Sequence, residues 1–229
     1  MKENNEPVIQ TSKINNLNHI NWDDYFATFA IMTSLRSKDP DRQVGAVIVS
    51  KDNRILSTGY NGAPIGINDD AMPWNKEGGF LNTKYAYVVH AELNAILGYN
   101  NDKSLLKGAK IYTTLFPCNE CMKAIIQSGI TEIIYLDNHN FAKDTCIGSR
   151  YMVNVHNRNE ILPKITLREY SITDRAKMII VKYFSYRTSK LLREDKYTDS
   201  TYNKVMVELY AIDHKYILGN NKDEIEVYL

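Results

Sequence analysis

The 229-residue sequence is short of cysteine, of charge bias and of long apolar runs, and each shortage excludes a class of protein. Three cysteines do not build the disulfide framework of a small secreted domain. Two of them, Cys118 and Cys121, stand at a spacing suited to a metal, and Cys146 is left over as a packed thiol. No apolar run approaches the length of about 18 residues that a membrane-spanning helix needs, and no signal-peptide pattern follows Met1. The expectation is a cytoplasmic protein in a reducing compartment. Lys and Arg number 28 against 27 Asp and Glu, for a net charge of +1. A protein that grips a long phosphate backbone carries a basic stripe, so long nucleic acid is excluded as the main partner. No internal repeat is present. Hydrophobic residues at 44% and charged residues at 24% suffice for one good core.

Residues 1–19 are polar, Asn-rich and aperiodic, and read as a flexible tail. A helix capped by Asn21 follows, with Tyr25, Phe26, Phe29, Ala30, Met32 and Leu35 at helical spacing as far as Arg36 or Ser37. Val44 to Val49 and Ile55 to Tyr60, joined through Asp52 and Asn53, predict a β-hairpin. Asn61 to Gly66 is a loop, and residues 67–86 show no period and read as an insertion. His90 to about Gly98 is helical by pattern, Ile111 to Leu115 a strand, Cys118 to Ser128 a helix closed by Gly129, and Thr131 to Leu136 a second buried strand. A weaker helix signal spans Ser149 to Asn157, and Ile165 to Tyr170 is a candidate fifth strand. This order predicts an α/β fold, a three-layer α/β/α sandwich around a mixed five-stranded sheet. From residue 171 the composition shifts, and two amphipathic stretches, from Asp174 and from Tyr202, predict a C-terminal helical extension over 171–229.

The chemistry concentrates in His90-x-Glu92 and Pro117-Cys118-x-x-Cys121. Alone, each half is weak: Cys-x-x-Cys also suits structural zinc or a redox pair, and His-x-Glu on a helix is often a solvated face. Together they supply three soft ligands and one free carboxylate. Zinc in a catalytic site keeps three protein ligands and an open fourth position, whereas a structural site wants a fourth ligand. His19, His139, His156, His214 and Cys146 stand at no spacing that provides one. Ligands at helix starts also gain from the positive helix ends, which favour thiolate over thiol. Glu92, in the first turn after His90, sits close enough to exchange a proton with metal-activated water without binding the metal.

With these motifs the sequence resembles the zinc nucleobase deaminases, and more closely the deoxycytidylate (dCMP) deaminases of the cytidine/deoxycytidylate deaminase superfamily. The resemblance runs from about Trp22 to Tyr170. It rests on Trp22-Asp-Asp-Tyr-Phe26, Arg36-Ser-Lys-Asp-Pro40, Gln43-Val-Gly-Ala46, Gly59-Tyr-Asn-Gly-Ala-Pro64, His90 to Ile96, Pro117 to Cys121 and Ile125 to Ile130. It implies a cytidine-deaminase-like domain over residues 20–170 and one Zn2+ per chain on His90, Cys118 and Cys121, with Glu92 as the catalytic proton shuttle. Residues 67–89 hold no Cys or His that could ligate a second ion, as they do in some relatives. The resemblance further implies that Asn61 bonds a sugar hydroxyl, that the backbone of Ala91 and Pro117 reads the polar edge of cytosine, and that Arg36 meets the 5′-phosphate. Arg36 is equally a helix-end cation satisfying carbonyls, and Asn61 a turn residue before glycine.

The implied activity is zinc-dependent deamination of dCMP to dUMP and ammonia, supplying dUMP for dTTP synthesis. Members are often hexamers, activated by dCTP and inhibited by dTTP with Mg2+. Two alternatives remain: a deaminase of another amine, such as dCTP, cytidine or a tRNA adenosine, and a non-catalytic zinc-stabilised nucleotide-binding protein.

Overall fold

All five residues of β1 (Gly45–Val49) are buried, so this strand needs a neighbour on each edge and a layer over each face. The computed structural model of the chain, which describes residues 19–180, provides both. β1 pairs antiparallel with β2 (Ile55–Tyr60) and with β3 (Lys110–Thr113). β4 (Glu132–Tyr135) and β5 (Thr166–Glu169) continue the sheet in parallel, in the order β2-β1-β3-β4-β5. The predicted mixed five-stranded sheet is therefore present.

Strand alternation sends successive side chains to opposite faces. Val47, Val49, Tyr112 and Ile134 pack on one face against Phe26, Ala27 and Ala30 of α1 (Trp22–Ser34). Ala46, Ile48, Ile111 and Ile133 pack on the other against three helices. These are α2 (Ala91–Leu97), α3 (Asn119–Ser128) and α4 (Asp144–His156), which contribute Ala91, Ala95, Met122, Ile125 and Val153 to that core. Parallel neighbours require crossovers, and α3 and α4 are the two that join β3 to β4 and β4 to β5. The result is the expected α/β/α sandwich.

The local signals and the structure differ at three places. α1 ends at Ser34 rather than at Arg36 or Ser37. Thr33 Oγ1 and Ser34 Oγ donate back to the carbonyls of Phe29 and Ile31, and the next N–H groups, of Arg36 and Ser37, close tighter turns on Thr33 and Ser34. α4 begins at Asp144, earlier than Ser149, because Cys146, Ser149 and Val153 bury one face that Gly148 and the polar residues obscure in sequence. The aperiodic segment 67–86 holds three short 3-10 turns, at Asp69–Ala71, Phe80–Asn82 and Lys84–Ala86.

Trp22–Lys177 form one compact unit, and the site lies within it. Helix begins again at residue 174, as predicted. The N-terminal tail up to residue 18 and the amphipathic stretch from Tyr202 lie outside the described residues. No helix among the described residues is long and apolar enough to cross a membrane.

Candidate metal centre and active site

His90 and Cys118 are the residues immediately before α2 and α3, and Cys121 lies in the first turn of α3. The two helices start side by side against the same sheet face, so these three side chains converge. Cys118 Sγ and Cys121 Sγ lie 3.3 and 3.4 Å from His90 Nδ1. A tetrahedral zinc with ordinary Zn–S and Zn–N lengths sets such pairs about 3.6 Å apart, so one nitrogen and two sulfurs fit the ion. Among the described residues this is the one convergence of His, Cys, Asp or Glu donors, all within 4.8 Å of one another. His90 is exposed, Cys118 half-buried and Cys121 buried, which leaves one side of the trio open.

The two thiols are electrostatically coupled. A hydrogen bond from Cys121, helped by the His90 imidazole, pulls the Cys118 thiol down to about 4. The same bond, seen from its donor, pushes Cys121 well up. Metal binding takes the proton from each thiol it ligates, and a lowered Cys118 favours that exchange. The Cys118 hydrogen bond in turn raises His90.

Glu92 follows in the first turn of α2 and is 4% exposed. Its carboxylate lies outside the ligand trio. Burial is the main cause of its raised pKa. Thr113 at the end of β3, itself fully buried, donates from Oγ1 to Glu92 Oε1 at 3.0 Å. The carboxylate also shares hydrogen bonds with Cys121 and with its own backbone N–H.

The remaining candidates fall around this centre to different degrees. Asn61, 5% exposed, precedes Gly62, which pairs through two backbone hydrogen bonds with Val89, the neighbour of His90. Ala91, fully buried, is the first residue of α2, where an N–H has no intrahelical acceptor. Pro117 is buried, and its carbonyl accepts from Ser149 Oγ of α4 at 2.9 Å. Arg36 is exposed in the turn after α1.

The family model for the cytidine and deoxycytidylate deaminase zinc-binding region matches residues 20–137. The chain belongs to that family. It is 45% identical over 138 residues to the human deoxycytidylate deaminase, covering 60% of this chain and 76% of that one. It is 47% identical over 142 residues to a probable deoxycytidylate deaminase of Drosophila melanogaster, covering 59% of this chain and 69% of that one. A solved dCMP deaminase from the cyanophage S-TIM5, in complex with dCMP and dUMP, aligns over 66% of this chain and 100% of its own at 22% identity, with a TM-score of 0.49. Zinc is the metal of the family, and His90, Cys118 and Cys121 are the residues placed to hold it here.

Sequence reasoning missed the family member's supporting residues. Thr113 carried a signal: in the run Ile111 to Leu115 it shares a sheet face with Ile111, and a threonine at such a buried position needs a polar partner. Ser149 reads in the sequence only as the start of a weak helix. Lys84 gave no signal, and Asp39 only its place in the Arg36 to Pro40 motif. They meet as a buried pair, with Lys84 Nζ 2.8 Å from each Asp39 carboxylate oxygen, although Lys84 belongs to the aperiodic segment.

Proposed function

We propose that the protein hydrolyses dCMP to dUMP and ammonia, with zinc on His90, Cys118 and Cys121 and with Glu92 moving the proton. The observation that carries this reading is the open His/Cys/Cys trio with a buried carboxylate beside it that is not a ligand. The names of the human and fly relatives support deoxycytidylate as the nucleotide.

Bound at the trio, zinc supplies Lewis acidity that makes water nucleophilic at neutral pH. Glu92 does the proton work. Steadied by Thr113 on Oε1, the carboxylate takes a proton from the attacking water and passes it to N3 of the cytosine, then carries the proton of the hydroxyl added at C4 to the departing amine. Water adds at C4, the C4–N bond breaks, and ammonia leaves as the C4 carbonyl forms. Burial raises the Glu92 pKa, which suits a group that must hold a proton between two transfers. The N–H of Ala91 and the carbonyl of Pro117 read the polar edge of the base, the latter steadied by Ser149. Asn61 meets the sugar hydroxyl and Arg36 the 5′-phosphate.

In the same reading, residues 20–170 carry the reaction, with 1–19 a tail and 171–229 an extension. The protein works as a cytoplasmic homo-oligomer, a hexamer, in which dCTP activates and dTTP inhibits with Mg2+. A site built on two thiols suits a reducing compartment.

Incubation with dCMP, dCTP and cytidine separately, following ammonia and the deaminated product, tests the assignment. The expected result is dUMP from dCMP as the preferred reaction, lost on zinc chelation. Preferred turnover of dCTP or cytidine would reassign the substrate. Nucleotide binding without any ammonia would make the protein a non-catalytic binder.

A further inference from the structure

We infer that Asp39 and Lys84 are positioning residues that lock the Asn61 carboxamide as a hydrogen-bond acceptor toward the substrate, so that the site selects a sugar with a hydrogen-bond donor at C3′. This rests on the reading of dCMP as substrate and of Asn61 as its sugar contact.

A carboxamide has two N–H donors and two oxygen lone pairs. Asn61 Nδ2 donates to Asp39 Oδ2 at 3.1 Å and to the Arg42 carbonyl at 2.9 Å, which takes up both donors. Asn61 Oδ1 accepts the Val44 N–H at 2.7 Å. One lone pair on Oδ1 is all that remains. A flipped amide would set its NH2 against the Val44 N–H and its oxygen against a carboxylate and a carbonyl. Three good contacts would become three repulsive ones in a buried place, where electrostatics are strong.

Asp39 is the part of this arrangement that needs help. Its carboxylate also accepts the N–H groups of Asp41 and Arg42 on Oδ1. It is 4% exposed, and a buried anion is costly without a cation. Lys84 supplies one through both oxygens, with side-chain exposures of 9% and 2% for the two partners. Asp41 takes a further hydrogen bond from Lys84 at 3.2 Å. The Asn61 backbone is held as well, its carbonyl accepting from Ser37 Oγ at 2.7 Å. The segment 67–86 thus delivers its one buried charge to the loop that aims Asn61.

The sugar of dCMP has no 2′-hydroxyl and carries its phosphate at 5′, which leaves a single hydroxyl at C3′. An acceptor-only Asn61 requires that this hydroxyl donate.

The test compares dCMP with its 3′-amino, 3′-fluoro and 3′-deoxy analogues on the wild-type protein. The amine donates, fluorine accepts only weakly and cannot donate, and hydrogen does neither. Expected is kcat/KM for the 3′-amino compound near that of dCMP, with both others lower by about 10- to 100-fold, the size of one lost hydrogen bond in a buried site. A 3′-fluoro compound turned over as well as dCMP would overturn the acceptor assignment. In Asp39→Asn, which keeps shape but loses the charge, and in the neutral pair Asp39→Ala/Lys84→Met, the amino-to-fluoro ratio should fall toward one while zinc content holds. An unchanged ratio in either folded variant overturns the positioning role, and so does failure of both to fold, which would assign the pair to folding alone. Absence of dCMP turnover by the wild type sinks the proposed function and this inference together; turnover without 3′ discrimination sinks this inference alone.

Discussion

In the proposed reaction Glu92 takes and gives protons within a single turnover, so its carboxylate must be held in place. Thr113 holds Oε1 by donating to it at 3.0 Å. The hydroxyl has a second acceptor, the Leu115 carbonyl at 3.1 Å, but a charged acceptor makes the stronger bond. Glu92→Gln keeps the shape and removes the proton carrier. It should lower kcat for dCMP by about 10²- to 10⁴-fold, the usual contribution of a general acid–base. Metal analysis of the same sample should give unchanged zinc, since the carboxylate stands outside the ligand trio. Arg36 is argued at the same scale. If its guanidinium meets the 5′-phosphate, Arg36→Ala raises KM for dCMP by about tenfold, one charge-assisted bond, and leaves KM for cytidine where it was. The metal trio, and the carboxylate beside it, were legible in the sequence because each pair is local: His90 with Glu92, Cys118 with Cys121. Their supports were not. Thr113 stands 21 positions from Glu92, Ser149 32 from Pro117 and Lys84 45 from Asp39, and no local pattern encodes such a partner.

At the scale of elements, the site depends on how closely α2 rides on β2. A Cβ on Gly59 of β2 would come within 2.3 Å of both the Ala91 carbonyl oxygen and the Ala95 nitrogen. Those are backbone atoms of the helix that begins just after His90, so they yield only if the helix moves. Gly59→Ala should cost about 1–3 kcal/mol, the range of overpacking in a tight core. Calorimetry would read the lower Tm, and metal analysis a weaker zinc affinity as His90 shifts. A Gly59→Ala protein with wild-type Tm and zinc affinity would show that β2 and α2 do not need this contact. The elements themselves were readable wherever a periodic face met a clear stop. The hairpin had Asp52 and Asn53, and α3 had Gly129, which sits in the left-handed region at φ 81°. The boundaries of α1 and α4 were less so: serine and threonine bonds to the backbone end the first, and tertiary burial of Cys146 and Ser149 sustains the second.

Across the folded unit, one ion cluster joins four elements. Arg168 of β5 donates through both terminal nitrogens to Asp23 of α1 at 2.9 and 3.0 Å, and through one of them to Glu132 of β4 at 2.9 Å. Tyr112 of β3 adds its hydroxyl to Asp23 at 2.6 Å. Burial alone would raise the Asp23 carboxyl, but the Arg168 and Tyr112 hydrogen bonds outweigh it and hold it below the usual carboxylate value. A carboxyl lowered in the folded state contributes stability that is full above its unfolded pKa of about 3.9 and is lost as pH falls through the folded value. Asp23→Asn should therefore lower Tm at neutral pH and flatten its decline below about pH 4. Parallel curves for the two proteins would mean the cluster does not couple to folding.

The central claim joins metal, proton carrier and nucleotide in one reaction, and a zinc titration of the metal-free protein tests it most directly. Zinc is added stepwise while dUMP formation from dCMP is followed. The rate should rise linearly and level at one zinc per chain. Full turnover of dCMP without zinc, or stoichiometric zinc binding with no dUMP formed, would contradict it.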